Sequence, residues 1–370
     1  MVRRPGGRGV EPPGLQPAVP KAAPSGIRGE RGRHRVRALV IQLRQIGDVV
    51  LTTPIPRILK EAWPGCWVTF LTERPSDRLL EGNPHIDEIL LNDRRAPWWH
   101  TLRLGGRLRK RRFDVVLDFM GNPRSAILAF LSGAATRVSY RAPGRGVLYT
   151  HRVSGAGGYA VEIKKNLLEP LGIRSAWDRP EIFLTPEERS WARSERRRLI
   201  RGGSDRLVTV DPSHRRVTRR WPAEHYGRLC IWMAEQGWTP VVLWGPGEEG
   251  VARAVMEASG GGAVLAPATD LRQMAALIGA ADLHVGNCSA PRHIAVAVGT
   301  PSFTILGSTS AGWTHPAPEH TQLALGLDCQ PCNRNECTRN DLACLRGLAP
   351  ERVAGAIGGW VEDALGWRTA

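Results

Sequence analysis

The stretch RQIGDVV at residues 44–50 sets one carboxylate, Asp48, just past the apolar run at 36–43. A carboxylate there has two uses. At a helix start it accepts the unpaired first-turn amides. At the mouth of a cleft it takes a proton from a substrate hydroxyl within hydrogen-bond reach. Gly47 beside it lets a backbone or a ligand come close. A second constellation, DPSHRRVTRRWPAEHYGRL at 211–229, gathers His214, Arg215, Arg216, Arg219 and Arg220 ahead of a helix. Such a loop offers charge-assisted donors to a diphosphate, or is simply a solvated surface. In LWGPGEEGVARAV, 243–255, Glu248 and Glu249 follow a Gly-Pro-Gly turn. Acids there complement a helix dipole or hold a ribose hydroxyl pair. In the 281–316 region a Gly286-Asn287 turn leads to Ser289-Ala290 at a helix start, with His293 one turn on. The exposed amides of such a helix start bind anions.

Four of the seven cysteines cluster as Cys329-x2-Cys332-x4-Cys337-x6-Cys344. Zinc modules pair two short clips, whereas this run has a single CxxC with irregular further spacings. A buried thiol cluster or oxidation-prone pairs fit the pattern at least as well, and we assign no metal.

Short apolar runs alternating with helical segments must position these groups. Strands are predicted at 36–43, 67–72, 86–91, 113–119, 136–140 and 147–151. Helices are predicted at 49–63, 76–82, 97–111, 123–132 and 159–171. The alternation pauses over a charged segment at 175–206, read as a solvent-exposed helix ending at Gly202-Gly203. It then resumes with strands at 207–211, 240–244, 263–265, 282–285 and 301–306 and helices at 222–236, 247–258, 270–280 and 290–298. This is the pattern of βαβ units and parallel sheets. The expected organisation is a disordered basic tail (1–35), a Rossmann-like domain (36–180), a linker helix (181–206), a second Rossmann-like domain (207–349) and a C-terminal helix (350–370). In such sheets ligands bind beyond the carboxyl ends of the strands, so the cleft between the domains is the expected site.

The chain of 370 residues carries a formal net charge of +16. Residues 1–35 hold eight basic and two acidic residues and cannot bury a core. They are read either as a lipid-touching tail or as an extension with no role. Aromatic content of 6% and the lack of a finger, zipper or RNA-binding signature argue against nucleic acid as the partner of this charge. No apolar stretch approaches ~20 residues and no secretory apolar segment follows the basic start. The expected location is therefore cytoplasmic.

Taken together, VIQLRQIGDVVLTTP, LLEGNPHIDEILL, FDVVLDFMGNPRSAILAFLSGAATRVSY, RRWPAEHYGRL, GPGEEG, VGNCSAPRHIAVAVGTP and CQPCNRNEC resemble glycosyltransferase family 9, the lipopolysaccharide heptosyltransferases. The resemblance spans about 36–366, and the RQIGDVVLTTP form is most like the heptosyltransferase III branch. It implies a GT-B fold, an inverting mechanism without a cofactor, and a nucleotide-sugar donor, usually ADP-heptose. It also implies a lipid-linked core oligosaccharide acceptor, met in peripheral contact with the inner membrane. By position, Asp48 matches the general base, Arg219 a diphosphate-steadying cation and Glu248 a ribose-contacting acid. Ser289, Ala290 and His293 match the phosphate-side turn and helix. The family commonly reads GNDSGPMH where this chain reads GNCSAPRH, so Cys288 stands where an acid contacts the donor sugar, and Arg292 adds a cation. Arg57, Lys60 and Arg124 are the residues expected to meet the acidic acceptor. Two alternatives remain: a family 9 transferase using another donor sugar, and a sugar-nucleotide-binding protein without turnover.

Overall fold

The computed structural model describes residues 35–369 except 142, 145, 156, 201, 202, 204 and 205. The tail assigned to 1–35 thus falls outside the described residues apart from Arg35, as does Gly202. The first sheet consists of β1 (Arg37–Ile41), β2 (Trp67–Thr72), β3 (Glu88–Leu91), β4 (Val115–Asp118), β5 (Thr136–Tyr140) and β6 (His151–Val153). The second consists of β7 (Arg206–Asp211), β8 (Trp238–Val242), β9 (Val264–Leu265), β10 (Leu283–Asn287), β11 (Ser302–Leu306) and β12 (His320–Ala324).

The strand orders are β3-β2-β1-β4-β5-β6 and β9-β8-β7-β10-β11-β12. All ten pairings are parallel. Both sheets therefore have one doubly wound topology, and β1, β2 and β4 correspond to β7, β8 and β10. The central strands are apolar on both faces, as helices covering both sides of a parallel sheet require. Val40, Val68 and Val115 pack with the helix Pro54–Ala62 on one face, while Leu39, Ile41 and Val116 pack with Trp98–Lys110 and Pro123–Leu131 on the other. The halves also share a core: Val50 and Leu79 of the first lie with Leu277, Ile294 and Ala295 of the second.

The helix expected over 49–63 is two helices, Ile46–Val50 and Pro54–Ala62. The hydroxyls of Thr52 and Thr53 donate to the carbonyl oxygens of Asp48 and Val50, each at 2.7 Å, and Pro54 begins the next helix. Asp48 is consequently the third residue of a five-residue helix whose N-cap is Gln45, and not the cap itself. The segment read as a helix at 76–82 is a single 3₁₀ stretch, Ser76–Leu80. Residues 159–171 fold as the helix Ala160–Lys165 and a 3₁₀ stretch containing Pro170, whose ring cannot continue an α-helix. Residues 146–148 form a turn, and the strand starts only at His151.

The charged helix Pro186–Leu199 opens with a capping box between Thr185 and Glu188. It is not wholly solvated. Ala192 and Leu199 are buried, Glu188 pairs with Arg272, and Arg196 pairs with Asp282 at 2.7 Å. The helix is thereby tied to the second half. The C-terminal helix Pro350–Leu365 packs there too, through Val353, Ile357 and Val361. Among the described residues no helix is long and apolar enough to cross a membrane.

Candidate active site

The carboxyl ends of the two sheets enclose a cavity of about 780 Å³. The first half contributes Gln45–Asp48 and Pro75; the rest of the wall belongs to the second. Asp48, Arg219, Glu248, Cys288, Ser289, Ala290 and His293 all line it.

Asp48 follows β1. Its side chain is about a third exposed, and Lys164 Nζ stands 4.0 Å from Oδ1. Lys164, from the helix Ala160–Lys165, is almost wholly buried and donates to Gln42 Oε1 at 2.9 Å. Burial pushes the Lys164 ammonium below its ordinary pKa, against the pull of Asp48. Asp48 thus keeps a face open to the cavity while a buried cation sits behind it.

Gly47 has a definite reason. A Cβ there would lie 2.9 Å from Cδ2 of His293, so only glycine lets the two helices meet at this distance. The buried His293 imidazole is pushed well below its usual pKa by burial, then by Arg292 and Lys164. It is neutral at pH 7 and offers a hydrogen bond rather than a charge.

The loop after β7 supplies the cations. Arg219 ends a 3₁₀ turn, Val217–Arg219, which is braced from outside. Thr218 Oγ1 donates to the Arg334 carbonyl at 2.8 Å, and Ser308 N donates to the Thr218 carbonyl at 2.9 Å. Arg219 Nε is buried without a hydrogen-bond partner among the described residues. Its guanidinium is lowered by burial and, with Arg216, faces the cavity. Such an unspent donor is what a desolvated anion would complete. His214 is lowered to about 4, by burial first and then by Arg219, so it adds no charge at neutral pH. Arg215 Nη2 donates to Gln45 Oε1 at 2.7 Å and so links the two halves across the cavity. Arg220 is exposed and does not line the cavity.

After β10 the helix Ala290–Val298 begins with its first turn toward the same space. Its N-cap Ser289 makes no side-chain capping bond. The hydroxyl donates instead to Asp211 Oδ2. The neighbouring first-turn amides are therefore left uncapped by Ser289, and Pro291 has no N–H to offer. Asn287 Oδ1 accepts from Trp221 N at 3.0 Å, and Trp221 Nε1 donates to the Leu348 carbonyl at 2.9 Å. These bonds fix the loops after β7 and β10 to the core. Asp211, buried beneath them in the cavity wall, is raised to about 7. Burial dominates, the Ser289 hydrogen bond opposes it, and the charge of Glu248 adds to it.

Glu248 is the residue before the helix Glu249–Ala258, and Gly245 N donates to its Oε2 at 3.2 Å. Cys288 is buried, and Arg292 Nη1 donates to its sulfur at 3.3 Å while Arg292 Nη2 donates to Thr314 Oγ1 at 2.6 Å. Two of the three departures from the GNDSGPMH pattern, Cys288 and Arg292, are thus one unit, a thiol paired with a buried guanidinium.

Sequence reasoning missed an apolar slot formed by Leu243, Trp244, Leu271 and Met274. Trp244 is fixed by its Nε1–H donating to the Ala266 carbonyl at 2.9 Å. The slot emerges because β8 ends at Val242, two residues earlier than expected. Lys164 was also missed.

Arg57, Lys60 and Arg124 are not in the cavity lining. Arg57 pairs with Glu61 and Glu181 and lies 3.6 Å from the Trp177 ring centre. Lys60 pairs with Asp87 at 3.0 Å. Arg124 donates to the carbonyls of Asp93 and Arg94 at 3.3 and 3.0 Å. Among the described residues no set of three His, Cys, Asp or Glu side chains is arranged to hold a metal ion. Cys329 is exposed and Cys332, Cys337 and Cys344 are half-buried.

Two doubly wound domains closing on a site with one acid on one side, and cations, helix amides and a second acid, Glu248, on the other, define a GT-B transferase. The family model for glycosyltransferase family 9 (heptosyltransferase) matches residues 101–343, and the chain belongs to that family of glycosyltransferases. It is 27% identical over 314 residues to lipopolysaccharide heptosyltransferase 3 of Escherichia coli strain K12, covering 80% of this chain and 90% of that protein. The crystal structure of the glycosyl transferase family 9 from Veillonella parvula has a TM-score of 0.78 at 22% identity, with 89% of this chain and 98% of that one covered. The E. coli ADP-heptose lps heptosyltransferase II superposes with a TM-score of 0.71 at 19% identity, covering 89% and 99%.

Proposed function

We propose that this chain transfers a heptose from ADP-heptose to a hydroxyl of the lipopolysaccharide inner core with inversion at the anomeric carbon. The observation that carries this reading is one cavity with opposed chemistry. Asp48 stands on the first half; Arg219 and the uncapped start of Ala290–Val298 stand on the second.

The acceptor oxygen attacks the anomeric carbon from the side opposite the diphosphate. Its proton passes to the Asp48 carboxylate as the carbon–oxygen bond forms. The bond from that carbon to the β-phosphate oxygen breaks, and the electron pair leaves with ADP. Arg219, Arg216 and the helix amides take up the charge that grows on the leaving group. Glu248 holds the ribose hydroxyls, and the slot of Leu243, Trp244 and Met274 sandwiches the adenine. The ADP-heptose assignment is supported by the name of the structural relative above, and the III branch agrees with the heptosyltransferase 3 match. The lipid-linked acceptor makes the enzyme a peripheral visitor to the cytoplasmic face of the inner membrane.

A second reading keeps the chemistry but changes the sugar. The Cys288–Arg292 pair favours it, because a thiol cannot accept a pair of sugar hydroxyl bonds as a carboxylate does. A screen of ADP-, GDP- and UDP-sugars with native core acceptor separates the readings. We expect acceptor-dependent release of ADP from ADP-heptose. Turnover with a different sugar nucleotide alone would transfer the assignment to that donor. Tight nucleotide binding without any turnover would make the chain a binding protein.

A further inference from the structure

One surface of the first half has no role in the transfer chemistry. The helix Trp98–Lys110 buries only a narrow stripe, Thr101, Leu104, Gly105 and Leu108. Gly105 lets it lie close to the helix Pro123–Leu131, since a Cβ there would fall 2.5 Å from Leu131 Cδ1. Away from that stripe large apolar side chains stand in solvent. Trp98 is 73% exposed, Trp99 49% and Leu102 48%, and on the neighbouring helix Phe130 is 48% and Ile127 39% exposed. Scattered apolar residues are ordinary on a surface, but this many on two adjacent helices mark an interaction site.

The charges around them choose the partner. Residues 93–112 contain eight Arg or Lys and one acid, Asp93. Of these cations, Arg111 alone has an ion-pair partner among the described residues, Glu88. Beside the tryptophans lies a cleft of about 390 Å³, walled by His100, Arg103 and Arg107 with Asn92 and Asp93. Neither Arg103 nor Arg107 is engaged by a carboxylate among the described residues. Tryptophan at the rim with unspent arginines around it is the composition that settles into the headgroup layer of a bilayer. A protein partner would want fewer like charges at its core.

Position completes the argument. The helices start at the carboxyl ends of β3 and β4, where Arg124 of one reaches the carbonyls of Asp93 and Arg94 before the other. Asp48 follows β1 at that same edge of the sheet. We infer that the Trp98–Lys110 helix, with Ile127 and Phe130, is the face on which this protein docks to an anionic lipid bilayer, its arginine cleft taking a lipid phosphate. A glycolipid acceptor rising from that surface then meets the cavity mouth directly. This purpose rests on the lipid-linked acceptor proposed above; the docking itself does not.

The test uses the full chain, so that residues 1–35 are present in every sample. The native protein and the variants Trp98→Ser/Trp99→Ser and Arg103→Glu/Arg107→Glu are sedimented with vesicles of phosphatidylethanolamine and phosphatidylglycerol at ~0.15 M salt. Parallel samples use phosphatidylcholine alone. We expect the native chain to bind the anionic vesicles and each double variant to lose about tenfold or more in partitioning. Melting temperatures should stay unchanged, because these side chains are exposed. Turnover on a delipidated, soluble acceptor should be unaffected, while turnover on vesicle-embedded acceptor falls. Native-like binding by both variants would assign lipid contact elsewhere and overturn the inference. So would equal binding to phosphatidylcholine, or no vesicle binding at all. Concentration-dependent dimerisation abolished by Trp98→Ser/Trp99→Ser, without vesicle binding, would give the face to a second copy of the chain. Because sedimentation needs no substrate, it can fail while heptose transfer stands, and the reverse.

Discussion

The two halves share a strand order but arm corresponding turns in opposite ways. After β4, Asn122 caps its own helix: its side chain accepts from Ser125 N at 2.9 Å in a complete capping box. Those amides are spent. After the corresponding β10, Ser289 turns its hydroxyl to Asp211 and caps nothing. After β1 a short helix presents a carboxylate, Asp48; after β7 a loop presents arginines. Topology decides where a ligand can sit, and a few side chains decide which sign of charge it meets. One half thus presents a carboxylate to the cavity, and the other presents arginines and an uncapped helix start; the proposed transfer uses the first for the proton and the second for the diphosphate.

Asp48 is where the two halves differ most in what they can do chemically. Asp48→Asn keeps the shape but cannot take the proton, so kcat should fall about 10²–10⁴-fold while donor affinity holds. Steady-state rates with saturating acceptor and nucleotide titrations check both halves of that statement. Full activity would remove the base from the mechanism. On the opposite side, Arg219→Met should lower kcat about 10²–10³-fold, since it deletes one fixed donor to the leaving group. It should also weaken ADP binding by calorimetry. A pure binding defect with unchanged kcat would confine Arg219 to ground-state binding.

How much of this arrangement the sequence discloses depends on the range of the interaction. The strands Trp67–Thr72 and Thr136–Tyr140 coincide with their expected limits because β-branched and aromatic runs are local signals. The helix start at Ala290 was legible too, since serine and proline flank it, whereas Gly286 and Asn287, expected as a turn, continue β10. The last strand, His320–Ala324, was missed because HTQLA has no such run; it is held by pairing with β11. The break at Thr52-Thr53-Pro54 was written in the sequence but read as helix interior. Long-range charge pairing was not legible. The i,i+4 pair of Arg57 with Glu61 is local, yet its second partner, Glu181, lies 124 residues away. Lys164 looks like half of an exposed Lys-Lys pair, and only the fold brings it behind Asp48.

That lysine sharpens the contrast, being a buried ammonium set behind Asp48. Lys164→Met removes the ion pair to Asp48 and the hydrogen bond to Gln42 together. We expect kcat to drop about tenfold with little change in donor KM, a positioning loss rather than a loss of the base. Because burial already disfavours the charged form, the methionine variant should melt no lower than the native chain by more than a few degrees. Collapse of the fold instead would make Lys164 structural.

The smallest effect concerns the acids at the carboxyl ends of the corresponding strands β1 and β7: Asp48 in the helix after β1, and Asp211, the last residue of β7. Asp48 is partly open; Asp211, in the wall of the same cavity, is 4% exposed, and its folded value of about 7 stands above the ordinary 3.8. Between those values the folded state holds more protons than the unfolded state, so stability falls as pH rises through the interval and levels off above it. The slope is negative, opposite to that of a carboxylate held by a cation. Asp211→Asn keeps an acceptor for Ser289 and has no proton to lose. Its melting temperature should therefore gain on the native chain by several degrees between roughly pH 4.5 and 7.5, with at most about 4 kcal/mol at stake. Parallel melting curves across that range would mean that Asp211 stays ionised in the fold. The buried acid would then add a fixed negative charge to the side proposed to bind the diphosphate, and Arg216 and Arg219 would have to outweigh it.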